Sequence, residues 1–126
     1  MSKDHKEWIL QAEYDMETAD IMFSSGRYFY AVFMCHLSIE KALKGIFLLK
    51  LGEIPPKTHN LIYLLNKINI KPDEYIRGII TRLNETNTVT RYPDDLKSLQ
   101  KDYSRDVVAN IMKRSKEAFE WIKALQ

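Results

Sequence analysis

A single cysteine in 126 residues leaves no internal disulfide and no paired-cysteine metal site, and it suits a reducing compartment. Glycine and proline are also scarce, four of each, in a chain that is 45% hydrophobic. That is the material of one packed domain, expected to span residues 1–126. There is no uninterrupted apolar block of the length a bilayer crossing needs, and the opening MSKDHKEW is too polar for a secretory signal. A soluble cytoplasmic protein without membrane association is therefore expected. The formal net charge of +2 is too small for binding nucleic acid by charge alone.

The distribution of charge carries more than its total. Residues 1–25 hold two lysines against six carboxylates, while residues 27–67 hold six basic residues against two acidic ones, for net charges of −4 and +4. Such opposition fits either mutual pairing of neighbouring helices or a basic face turned toward an anion.

Apolar residues recur at helical spacing nearly everywhere. Trp8, Ala12, Met16, Ala19 and Phe23 predict an amphipathic helix over 3–23, ended by the SSG turn at 24–26. Residues 27–51 predict a second, almost wholly apolar helix about 38 Å long, closed by Gly52. EIPPK then forbids helix, and Thr58 is placed to cap a short helix carrying Leu61, Ile62, Leu64, Leu65 and Ile68. Asp73 opens a fourth helix that should fade in the polar, β-branched NETNTVT; Ser104 opens the last. Between them lies a long loop, or a partly helical one around DDLKSLQK. No alternating β-branched run competes with this pattern. The expected fold is all-α, an up-and-down bundle of four to five helices.

Two stretches are unusual. "CHLSIEKALKG", residues 35–45, places His36, Glu40, Lys41 and Lys44 on a helix that ought to be buried. At about 100° per residue, Glu40, Lys44 and Lys41 stand roughly 40°, 80° and 140° from His36, while Cys35, Ile39, Ala42, Ile46 and Leu49 share the opposite, core-facing side. One to two turns earlier the same arc holds Phe29, Tyr30, Phe33 and Met34. An aromatic patch of that kind needs a cover, either another helix of the chain or a second copy, and a homodimer contact is expected there.

His36, Glu40 and Lys44 read either as an ordinary helix-surface pair beside a hydrogen-bonded core histidine, or as the edge of a polar pocket. In the second reading Lys57 and His59 join them at the start of the third helix, where backbone N–H groups favour an anion.

The other stretch, "TRYPDD" at 90–95, reads as a turn in which Asp94 and Asp95 accept free N–H groups. It reads equally as a rigid loop projecting Arg91 as a phosphate contact and Tyr92 as a stacking surface.

Other chemistries lack their motifs. There is no glycine-rich phosphate loop, HExxH, paired ExxH set or GxSxG. No metal ligands and no cofactor are expected, and no catalytic residue is singled out. A groove-reading helix is disfavoured because Lys113, Arg114 and Lys116 on the last helix are mixed with Glu117 and Glu120.

The order of "CHLSIEKALKG", a proline-containing connection, "KTHNL" and then "TRYPDD" before a final amphipathic helix resembles the HEPN family (higher eukaryotes and prokaryotes nucleotide-binding domain) in its small stand-alone prokaryotic form. The resemblance covers nearly the whole chain. It implies a helical bundle, usually dimeric, that binds or acts on nucleotides or RNA. It also implies a minimal nucleotidyltransferase as partner protein in a toxin–antitoxin or related defence module. The positions that match the family pattern are His36, Glu40, Lys41, Lys44, His59, Arg91, Tyr92, Pro93 and Asp94.

HEPN ribonucleases carry an Arg followed after four to six residues by a His. Here YPDDLKS follows Arg91 and DVVANIM follows Arg105, so that pair is missing. A binding accessory role is the leading expectation. A divergent metal-independent ribonuclease using Arg91 with His36 or His59, and a purely structural dimeric interaction domain, are the alternatives.

Overall fold

The fold rests on four long helices, joined by two short ones. The computed structural model describes residues 3–126, the side chain of Arg91 excepted. In chain order the helices are α1 (His5–Ser24), α2 (Tyr28–Leu51), α3 (Leu61–Ile68), α4 (Glu74–Arg91), α5 (Leu96–Asp102) and α6 (Arg105–Lys123). No strand occurs among the described residues. The long helices α1, α2, α4 and α6 run alternately up and down, so the class is all-α as expected, with one helix more than the upper count.

Local chemistry accounts for most boundaries. Asp4, Asp73 and Ser104 each accept a backbone N–H from the first turn of their helix, Asp4 and Asp73 at 2.9 Å and Ser104 at 3.4 Å. Gly52 closes α2 in the left-handed region at φ 66°, where a side chain would be strained.

The expected cap at Thr58 is displaced. Asn60 caps α3 by accepting from Tyr63 N at 3.0 Å, and the Thr58 hydroxyl accepts from Asn60 N at 3.1 Å one step earlier. Thr58 belongs to the Asx/Ser-Thr turn that leads in.

Two further expectations are corrected. NETNTVT does not end α4, which continues to Arg91. Thr86 and Thr90 are buried, and their hydroxyls donate back to Leu83 O at 3.2 Å and Thr86 O at 3.0 Å. Tertiary burial, with hydroxyls satisfied on the helix's own carbonyls, overrides a weak propensity. The long loop is replaced by α5, capped by Asp95, whose side chain accepts from Lys97 N at 3.1 Å. Leu49, assigned to the core side of α2, is instead exposed near that helix's end.

α2 is the central rod, packed against α1, α3, α4 and α6. Its approach to α1 is set by small residues. A Cβ on Gly45 would stand 3.1 Å from His5 O and 3.1 Å from Trp8 Cβ, and Ala12 and Ala19 are fully buried. Ser38 donates to Ala12 O at 2.7 Å, a backbone-level contact that only a short side chain can make. The opposed charges pair within the bundle: Lys41 with Asp15 at 2.9 Å, Lys116 with Asp20 at 2.6 Å and Lys123 with Glu13 at 2.6 Å. Two of the three run between α1 and α6, so the acidic first helix is answered by both α2 and the last helix. Among the described residues no helix is long and apolar enough to cross a membrane.

Candidate functional site

The spacing of His36, Glu40 and Lys44 puts them on successive turns of one face of α2, and the strap 52–60 crosses that face before α3 begins. Glu40 is the hub. Its Oε2 accepts from Lys44 Nζ at 3.0 Å and its Oε1 from His59 Nδ1 at 2.8 Å. His36 Nε2 donates to the His59 carbonyl oxygen at 2.9 Å, and His36 Nδ1 lies 3.9 Å from Glu40 Oε1.

Residue 59 is thus gripped twice from α2, by its ring and by its backbone. Asn84 of α4 holds the next turn by accepting from Leu61 N at 2.8 Å. The Lys44 ammonium also lies 5.9 Å from the centre of the Trp8 ring, a cation–π neighbour on α1.

Burial separates the members. His36 is 0% exposed and the side chains of Glu40 and Lys44 are 5% and 8% exposed, whereas that of His59 is 54% exposed. Glu40's charge is met inside the protein by two charge-assisted donors, which is the condition for burying a carboxylate. It follows that His36 and Lys44 have no surface to offer a phosphate. His59 does: with Nδ1 committed to Glu40, its other ring nitrogen is on the outward edge, and exposed Lys57 lies two residues away on the same strap.

Lys41 is not part of this cluster. It faces α1, on the buried carboxylate of Asp15. The TRYPDD stretch lies apart as well. Arg91 is the last residue of α4, seven residues beyond Asn84, hence about 10 Å further along that axis. Its side chain is outside the described residues. Tyr92 is 70% exposed, and Pro93 and Asp94 are exposed beside it. The structure therefore brings four of the predicted residues together and puts Arg91, Tyr92 and Asp94 about two turns beyond Asn84, where α4 ends.

The aromatic half of the α2 face is divided too. Phe29 is buried within its own chain, while Tyr30 is exposed and Phe33 and Met34 are half-buried. Tyr30, Phe33 and Met34, with Met22 and Thr90, line a hollow of about 320 Å³. Cys35 is sealed in the core with its Sγ 3.4 Å from Met112 Sδ, and burial pushes its thiol up to about 12. It stays protonated and inert at neutral pH. Among the described residues no three His, Cys, Asp or Glu side chains gather as a metal site requires.

The HEPN domain model matches residues 5–125. The chain belongs to the HEPN family. Two solved structures share its fold. The archaeal HEPN homologue ST0689 is 29% identical, with a TM-score of 0.78 and 98% of each chain covered. TT1696 from Thermus thermophilus is 22% identical, with a TM-score of 0.80 over 95% of this chain and 96% of that one. No protein of curated function matches the chain.

Sequence reasoning missed three members of the HEPN chain's polar interior. Asp15 is a carboxylate on the buried side of α1, and its signal was its place beside Met16, on the helix's apolar stripe. Trp8 was read only as core. Asn84 sat in the segment expected to unwind, so its helical position opposite Leu61 could not be anticipated.

Proposed function

We propose that this HEPN protein is a nucleotide- or RNA-binding accessory protein that works as a homodimer beside a minimal nucleotidyltransferase, in a toxin–antitoxin or related defence module. The observation that carries the binding part is the double grip on residue 59. A buried carboxylate and a buried imidazole fix an exposed histidine just before α3, two residues from the exposed Lys57. Arg91 and Tyr92 are proposed as a second phosphate contact and a stacking surface at the far end of α4. The dimer part is supported by the hollow in which Phe33 and Met34 are half-buried, apolar side chains that a second copy would cover.

A ribonuclease reading would have to work through His59, because the buried His36 has no face for a substrate. Thermal melts with mononucleotides and with single-stranded RNA test the proposal. A ligand at a hundred times its dissociation constant adds about 2.7 kcal/mol, and His59→Ala with Lys57→Ala should remove that gain. If no nucleotide and no RNA raises the melting temperature, only the structural interaction domain is left.

A further inference from the structure

An open concavity lies away from His59. It is a groove of about 400 Å³ where the turn before α2 meets α5 and the start of α6. Its size falls in the range of small-ligand sites and is too small for a docked helix. Four aromatic residues line it: Tyr28, Phe29 and Tyr30 from the first turn of α2, and Tyr103 from the α5–α6 junction. Phe29 and Tyr103 are buried, so their rings are held in place, and Tyr30 packs on Phe29 with ring centres 4.4 Å apart while remaining 42% exposed.

The polar part of the wall is sparse and specific. Gln100 offers an amide with both donor and acceptor, and Ser104 a hydroxyl. Arg27 is the one charged residue among the described residues that line the groove, and it is exposed. One guanidinium with no carboxylate opposite it selects an anion. The field at this end of α2 adds to that selection, since Arg27 provides no side-chain cap for the helix.

We infer that this groove is a binding site for a nucleobase with its phosphate: the base lies against the Tyr30 and Tyr103 rings with its edge on Gln100, and the phosphate meets Arg27. This rests on the nucleotide or RNA reading above, and it moves the base away from His59 to the end of the molecule that follows TRYPDD. The same chemistry is offered by a free nucleotide and by one residue of a single strand.

Titration calorimetry with AMP and with a short single-stranded oligoadenylate tests the assignment on the full chain. Arg27→Ala, Gln100→Ala and Tyr30→Ala should each weaken binding about tenfold or more, and Tyr30→Phe, which keeps the ring, should retain it. Arg27, Gln100 and Tyr30 are all exposed, so folding is not at stake. Binding of AMP would assign a free nucleotide as the source. Binding of the oligomer alone, still lost in these variants, would assign single-stranded RNA. Binding that survives all three alanine variants but is lost in His59→Ala with Lys57→Ala overturns the groove and leaves the broader reading standing. No binding of either probe overturns both.

Discussion

The two halves of α2 invert the usual rule. Its middle turns carry ionisable residues on a closed face, with His36, Glu40 and Lys44 buried. The first half carries aromatic residues and is partly open, with Tyr30 exposed and Phe33 and Met34 half-buried. Charge inside is tolerable only when every group has a partner, and the closed half meets that condition through Lys44 and the His59 strap. Apolar surface outside is tolerable when something else covers it, and the open half is covered only in part by its own chain. The ionic face is therefore closed within the chain, and the aromatic face keeps part of its rings at the surface.

Breaking the closed half should have the largest effect. Glu40→Ala leaves the Lys44 ammonium buried without its carboxylate and should cost about 3–5 kcal/mol in urea unfolding. Glu40→Gln keeps an acceptor and should cost less. A loss below about 1 kcal/mol for the alanine variant would mean that water reaches the cluster.

Gly45→Val attacks the same region through backbone contact. Added carbons would press on His5 O and Trp8 Cβ, so a loss of about 2–3 kcal/mol is expected, and an unchanged midpoint would show that α1 yields freely.

Alkaline pH sharpens the contrast between buried and open groups. Burial raises the Cys35 thiol from 9.0 to about 12. Because the unfolded chain releases this proton first, the contribution is full below pH 9 and is lost as pH rises toward 12, at about 1.4 kcal/mol per pH unit. Comparing the pH dependence of the parent with that of Cys35→Ala isolates it; parallel curves would contradict the burial. At the exposed Tyr92, just past α4, Tyr92→Ala should shift stability by no more than about 0.5 kcal/mol, and calorimetry would reveal any larger role.

Helix type and most helix starts were legible because they depend on short-range chemistry. Asp73 and Ser104 could be identified as caps from the apolar stripes that follow them. The extension of α4 could not, since Thr86 and Thr90 are poor helix formers in isolation and are carried by burial against the bundle. Similarly, the wheel of α2 correctly grouped His36, Glu40 and Lys44 on one arc, yet it could not say whether that arc was open or covered. The strap that covers it is folded by the prolines at 55 and 56 and by Asn60, none of which reports where the strap comes down. Arg91 was joined to the histidines by order in the sequence alone, and about two turns of α4 beyond Asn84 lie between them.

The claim that Glu40 is a buried carboxylate gripping the ring of residue 59, while His36 grips its backbone, is open to one direct measurement. Nitrogen-15 NMR of the imidazoles assigns which ring nitrogen carries the proton. The account predicts a proton on Nδ1 of His59 whose hydrogen-bonded shift weakens in Glu40→Gln and is lost in Glu40→Ala, and a proton on Nε2 of His36. A His59 ring with bare Nδ1, unaffected by the change at residue 40, would contradict it.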